Sequence, residues 1–337
     1  MAAMKVSVIL CAVLAFSVFV ADASNASEKA HSFINKVLDR FHPNDEKVID
    51  EVNSSNLTWK AGKNAVWDIY NEDDFPKFMG TQLEQDDKMA TDIPRVSLLT
   101  AEDGAPMKAD IPETFDSREH FKGYIHPIRN QMRCGSCWAF AASEALSDRF
   151  AIASQGEVDV VLSPEDMVSC DYTDNGCNGG MIPNAWNYLA DTGIVSDKCF
   201  PYEAGSGNAP KCIKSCEDGE AFKKYKAKNV VHLTTVEAIQ QAIMTGGPVE
   251  AGFMVHKSFM SYKSGVYQHK WFKFWDSILG GHAVKIVGWG TEDGVPYWLV
   301  ANSWSTDWGL DGYFKILRGK NDCQFESSVY AGVPVLD

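Results

Sequence analysis

The run Cys134-Gly135-Ser136-Cys137-Trp138 places two thiols three positions apart at the predicted start of a helix. Residues 137–155 hold no Gly or Pro, and Trp138, Ala142, Leu146 and Phe150 recur every four positions, which predicts a helix with one apolar face. Gly156 is its stop signal. The positive end of a helix favours thiolate over thiol, so Cys137 has the chemistry of a nucleophile at neutral or mildly acidic pH. The same Cys-x-x-Cys spacing serves redox dithiols and half of a zinc site, and these five residues do not choose among the three.

A cysteine nucleophile needs a base, and the base needs a group that orients it. Of the 8 histidines, His282 stands apart, because Gly280-Gly281 lets backbone or ligand approach closely just before a predicted strand. The competing reading is a satisfied core His at a strand entry. His31 and His42 lie in the N-terminal segment. His120, His126, His232, His256 and His269 have no distinguishing context and read as surface or packed residues. Asn302-Ser303-Trp304 closes the next predicted strand. Two adjacent antiparallel strands would bring positions 282 and 302 together, where an amide oxygen accepts a hydrogen bond from imidazole and fixes its tautomer. The alternatives are a turn Asn and a core Trp.

The elements that must position these residues divide in two. The Cys137 helix is followed by one capped at Ser163-Pro164 and another over about Pro183–Thr192, reached through the loop Asn175-Gly176-Cys177-Asn178-Gly179-Gly180. Beyond about residue 229, Val249–Val255, His282–Trp289, Tyr297–Ser303 and Gly312–Arg318 read as strands. A helical half before a β-rich half is α+β with segregated layers. Upstream, Ser32 to Val52 reads as helix interrupted at Pro43, and residues 101–112 as an exposed linker.

The chain has 337 residues and a net charge of −14, which argues against nucleic acid or an anionic membrane as partner. Lys5, the apolar run Val6–Val20 and Ala21-Asp22-Ala23 form a secretory leader cut after Ala23. The run is short for a span of ~20 residues, and no later stretch qualifies. Sequons at Asn25, Asn53 and Asn56 fit that route. Cys11 leaves with the leader. Cys134, Cys137, Cys170, Cys177, Cys199, Cys212, Cys216 and Cys323 remain, enough for four bridges, or for three with two free thiols if Cys137 is a nucleophile.

With these residues together, the chain resembles the papain-like cysteine peptidases, most closely the cathepsin B branch. Cys134-Gly-Ser-Cys137-Trp138, the distant His282 and Asn302, and Asn56-Leu57-Thr58-Trp59-Lys60-Ala61-Gly62 carry the resemblance. It implies a two-domain α+β fold, with a helical left domain, a β-barrel-like right domain and the active-site cleft between them. The implied organisation is leader 1–23, propeptide 24–110 and peptidase 111–337, helical over about 127–228 and β-rich over 111–126 and 229–337. Cys137 is the implied nucleophile, His282 its imidazolium partner, Asn302 the orienter, and Gln131 an oxyanion donor beside the Cys137 backbone N–H. Met132 stands where the family usually has Gly. The implied pairings are Cys134–Cys177, Cys170–Cys212 and Cys199–Cys216, leaving Cys137 and Cys323 free.

The resemblance further implies substrate contacts at Gly179, Gly180, Ile182, Gly252, Gly281, Ala283, Trp304 and Ser328. Cathepsin B carries an occluding loop with paired His that makes it a peptidyl-dipeptidase. The short stretch from Cys199 to Cys212 has no His, so an endopeptidase with an open primed side is expected. Ser328 stands where cathepsin B has the Glu that accepts P2 Arg, so an apolar P2 is expected. The expected partners are protein and peptide substrates, the propeptide as inhibitor and cystatin-type inhibitors. The expected state is a monomer in the lysosome, a digestive vacuole or outside the cell, needing no cofactor or metal. The propeptide lies backward through the cleft in this family, and its acidic groups suggest release on acidification. The alternative is an inactive homologue secreted as a binding protein.

Overall fold

The computed structural model describes residues 41–83, 92–97, 110–216, 219, 221–270 and 276–336. The leader, the Asn25 sequon and most of the linker lie outside them. In chain order the elements are α1 (Glu46–Ser54), β1 (Trp59–Ala61), β2 (Arg95–Val96), β3 (Phe115–Asp116), α2 (Cys137–Ala153), α3 (Pro164–Cys170), α4 (Ile182–Asp191), β4 (Ala227–Leu233), α5 (Val236–Gly246), β5 (Val249–His256), β6 (Tyr262–Tyr267), β7 (Ile278–Glu292), β8 (Val295–Ala301), β9 (Tyr313–Leu317) and β10 (Ser328–Pro334). No helix among the described residues is long and apolar enough to cross a membrane.

Helix α2 departs from the amphipathic expectation. Every residue from Cys137 to Ala151 is buried, on all faces, including Ser143, Glu144, Ser147, Asp148 and Arg149. Buried polar groups need partners. Arg149 donates to the carbonyls of Pro248 (2.7 Å), Gly332 (3.1 Å), Ala242 (3.2 Å) and Gly247 (2.8 Å). Asp148 receives Lys285 Nζ at 2.7 Å. The helix is thus the pillar on which both halves pack. The Ser163 hydroxyl caps α3 by accepting the Asp166 N–H at 3.1 Å.

The strands form one open sheet in the order β1-β6-β9-β8-β7-β5-β10-β4-β2, with β3 beside β7. The sheet is not closed as a barrel. Strand β7 is its spine: Phe253 of β5 faces His282, and Ala301 of β8 faces Lys285, both in antiparallel register. β4, β6, β10 and α5 complete a β-rich half in which only four strands were legible. Disulfides join Cys134–Cys177, Cys170–Cys212 and Cys199–Cys216, while Cys137 and Cys323 are free.

Residues 43–83 are bound to this frame. β1 adds to the edge of β6, with Trp59 opposite Gly265. Trp67 Nε1 donates to the Met260 carbonyl at 2.7 Å, and its ring meets those of Phe75, Phe78 and Trp304 edge-on.

Candidate active site

Cys137 is the first residue of α2, where the unpaired N–H groups and the dipole are positive. The N-cap Ser136 does not cap with its side chain; its hydroxyl meets the Tyr202 hydroxyl at 2.9 Å. The Cys134–Cys177 bridge ties the turn before the helix to the Gly179-Gly180 loop, and Gly135 N donates to the Cys177 carbonyl at 2.9 Å.

His282 Nε2 lies 2.8 Å from Asn302 Oδ1, and that oxygen also accepts the Ser303 N–H at 2.8 Å. An oxygen already taking a backbone N–H is an acceptor, so His282 donates from Nε2 and its other nitrogen is left for chemistry. Trp304 stacks on the imidazole with centroids 4.6 Å apart. His282, Asn302 and Trp304 are all buried.

Gln131 is locked by four bonds. Its Oε1 accepts from Ser303 Oγ (2.7 Å), its N–H donates to Ser303 O (2.9 Å), its carbonyl takes the Tyr202 hydroxyl (2.7 Å), and its Nε2 donates to Cys134 O (2.9 Å). The remaining Nε2 proton goes to the Phe78 carbonyl at 3.1 Å. Met132 takes φ +54°, the left-handed conformation in which a glycine would be unstrained, and is 47% exposed. The side chain is therefore tolerated by pointing outward.

The cleft is filled by the leading segment. Gly80 N and Thr81 N both donate to the Gly281 carbonyl (3.1 and 3.0 Å), Gly180 N donates to Gly80 O (2.8 Å), and Gln82 N donates to Gly180 O (3.1 Å). Thr81 Oγ1 lies 3.3 Å from Cys137 Sγ. A Cβ on Gly80 would stand 2.0 Å from the Gly135 carbonyl, and one on Gly180 would stand 2.5 Å from the Trp138 ring, so both backbones approach as closely as they do only as glycine. Beside them, a Cβ on Gly252 would meet Leu83 Cδ2 at 2.4 Å, Ile182 Cδ1 at 2.9 Å and Ser328 Cβ at 3.6 Å. Leu83 thus sits in a niche of Ile182, Gly252 and Ser328, with Ala283 in the same core. Phe78, Gly80, Thr81 and Leu83 had no signal in the sequence.

Burial governs the electrostatics. It pushes the Cys137 thiol up, against hydrogen bonds from Thr81 and from the backbones of Ala283 and Gly80. It drives His282 down from 6.5 to about 4, against the favourable Asn302 oxygen and Phe78 carbonyl. In this closed state both groups are neutral near pH 7.

A fold with a helical pillar, an open sheet, a Cys at a helix start and a His on one strand paired with an Asn just past the end of the next is that of a papain-like enzyme. The family model described as papain family cysteine protease matches residues 111–333, and the chain belongs to this family. Within the family its similarity is to cathepsin B-like enzymes. It is 39% identical over 302 residues to "Cathepsin B-like CP2" of Giardia intestinalis, covering 84% of this chain and 92% of that protein. It is 40% identical over 329 residues to "Cathepsin B-like cysteine proteinase 6" of Caenorhabditis elegans, covering 87% and 84%. Among solved structures, proCathepsin B S9 from Trypanosoma congolense superposes with a TM-score of 0.78 at 33% identity, over 87% of this chain and 99% of that one. The chain is a cathepsin B-like cysteine protease.

Proposed function

We propose that the chain is the zymogen of an endopeptidase in which Cys137 attacks the scissile carbonyl. The thiol proton passes to the free nitrogen of His282 as the sulfur attacks, His282 then gives that proton to the leaving amine, and a water deprotonated by His282 releases the acyl group from sulfur, which recovers the proton. Asn302 holds the imidazole. Gln131 Nε2 and the Cys137 backbone N–H receive the oxyanion, a donor whose loss from such a hole costs ~10²–10³ in rate. The observation that carries this reading is the Phe78 carbonyl, which already occupies the Gln131 amide at 3.1 Å.

The same observation supports residues 24–110 as a propeptide running in reverse. In a substrate, the side chain filling the S2 pocket precedes the carbonyl held by the oxyanion donors. Here the niche residue, Leu83, follows the carbonyl residue, Phe78. In a reversed chain the leaving nitrogen of the peptide bond at that carbonyl lies on the side opposite to a substrate's, which disfavours its cleavage. Mature enzyme then begins near Ile111.

The Leu83 niche supports a preference for apolar P2 residues, with Ile182, Gly252, Ala283 and Ser328 as walls and no carboxylate among them. Gly179, Gly180 and Gly281 bind substrate backbone, and Trp304 shields the His282–Asn302 bond. The short turn between Cys199 and Cys212 leaves the primed side open, so C-terminal dipeptide release is weak. A secretory route to a lysosome, a digestive vacuole or the exterior fits the disulfides. Of the two described sequons, Asn56 is exposed, whereas Asn53 is engaged with the Ala61 backbone at 3.0 Å in both directions; Asn56 is the glycan site.

The test is acid activation followed by titration with an epoxysuccinyl inhibitor and mapping of the adduct. One equivalent on Cys137 with loss of peptidase activity is expected. An unlabelled Cys137 in an active preparation defeats the assignment.

A further inference from the structure

Two of the histidines without distinguishing sequence context are brought face to face. His256 ends β5, His269 follows β6, and Asp276 precedes β7. The two rings stack with centroids 3.5 Å apart and planes 18° apart. His269 Nε2 and Asp276 Oδ2 stand 3.4 Å apart, both atoms are buried, and neither has a hydrogen bond among the described residues. Asp276 is 1% exposed. Its other oxygen accepts the Ser258 N–H at 2.8 Å, and the His269 N–H donates to Asp322 Oδ2 at 2.9 Å, so both residues are held in place. One ligand atom from each of His256, His269 and Asp276 lies within 4.8 Å of the others.

A buried carboxylate oxygen with no donor is unfavourable unless something positive faces it. Two imidazoles and a carboxylate are borderline-soft donors suited to zinc, not the all-oxygen set of calcium or magnesium. With metal–ligand bonds of ~2.0–2.1 Å, tetrahedral ligand atoms sit about 3.3 Å apart. The 3.4 Å between His269 Nε2 and Asp276 Oδ2 is already such an edge. The His256 ring, held by its stack on His269 and by a 3.4 Å contact from Nδ1 to the Asp276 carbonyl, needs only to tilt to complete the set.

We propose that His256, His269 and Asp276 form a Zn²⁺ site whose fourth ligand is water. The ion ties the end of β5 to the chain leaving β6 and entering β7, the strand that carries Gly281 and His282. It is independent of the peptidase chemistry and does not rest on the proposed zymogen.

The test uses the full-length protein with Cys137→Ala, which removes the active-site thiol as a competing ligand, leaving Cys323, and prevents self-cleavage. After treatment with a chelator, Co²⁺ is added and the visible absorption of tetrahedral cobalt is followed, with Zn²⁺ counted by equilibrium dialysis. One equivalent of metal and a tetrahedral spectrum are expected. His256→Phe keeps an aromatic ring stacked on His269 but lacks the ligand atom, and Asp276→Asn weakens the carboxylate ligand. Affinity should fall at least about 100-fold in His256→Phe, beyond what loss of an outer partner costs. Absence of stoichiometric binding in the parent, or binding by His256→Phe within twofold of it, overturns the proposal.

Discussion

Thr81 Oγ1 and Cys137 Sγ stand 3.3 Å apart, so the leading segment meets the sulfur with a hydroxyl, beside the Gly80 backbone. The contact exists because Gly80, with no side chain, crosses directly over Gly135. Gly80→Val therefore forces the segment away. The Cys137 thiol in that zymogen should react with iodoacetamide at least about tenfold faster at pH 7, following its recovered thiolate character. Peptide mapping of the alkylated Cys checks this, and an unchanged rate would show that the segment closes the cleft without this crossing.

The pH dependence of opening has a definite sign. Closed, His282 titrates at about 4; once the cleft is open and wet its value returns toward 6.5. The open state then binds the extra proton. Closure is fully favourable above about 6.5 and weakens as pH falls to 4, by on the order of 3 kcal/mol. That holds for a lone His. With Cys137 present, opening moves the thiol proton to His282, the proton count does not change, and this contribution cancels. Cys137→Ala should therefore lose hydrogen-exchange protection of residues 75–83 between pH 6.5 and 4 more steeply than wild type. Equal slopes would disprove the internal transfer.

Asp74 supplies acid sensitivity that does not cancel. Burial disfavours its charge, but the Asn71 backbone, Lys77 and Arg133 hold the carboxylate below its usual value. Arg133 Nε lies 3.3 Å away and Lys77 Nζ 3.0 Å away. This stabilisation is present above the ordinary carboxylate range and is lost as pH falls below it. Both cations are partly exposed, so Asp74→Asn should weaken closure by only about 1 kcal/mol. Self-processing near pH 5 should accelerate about fivefold.

Ser328→Glu places a carboxylate opposite Gly252, beside the niche that holds Leu83. The ratio of kcat/KM for Arg-Arg over Phe-Arg substrates should rise at least about tenfold, the scale of one well-placed charge-assisted contact. A ratio unchanged within twofold would move the P2 pocket elsewhere.

Lys285 is 1% exposed and bridges Asp148 at 2.7 Å and Glu144 at 3.6 Å, joining β7 to α2. Lys285→Met removes the cation shared by Asp148 and Glu144, with Asp148 keeping His126 Nδ1 at 2.8 Å, a loss of ~3–5 kcal/mol. Thermal unfolding by circular dichroism should show a drop of several degrees, and a parallel loss of activity at moderate temperature.

The parts legible in the sequence were those with local patterns. The cap at Ser163 and the glycine pair before His282 are such signals, as are the alternating strands around Trp289 and Trp298. Asn302 was placed correctly beside His282 because adjacent antiparallel strands leave little choice of register. Helix α2 was legible in extent but not in environment. Arg149 and Asp148 look like a solvent face, and what makes them core is carbonyls and Lys285 nearly a hundred or more residues downstream, together with His126 upstream, whose N–H and ring meet Asp148 at 2.9 and 2.8 Å. The segment Phe78–Leu83 was illegible for the same reason. It has no periodicity, and its path is dictated by Gly180 and Gly281 across the cleft.

The edge pairing of β1 with β6 lies upstream of the thread through the cleft, and Trp59 and Trp67 are anchored there separately, on Gln268 and Met260. A cut beyond Leu83 severs the covalent link without undoing this anchorage. The freed piece then competes as a separate molecule, its local concentration no longer set by the tether. With the proposed propeptide as inhibitor, onset of activity should depend on enzyme concentration and dilution as well as on cleavage: a concentrated, fully clipped sample should stay quiet, and diluting it should raise turnover per molecule.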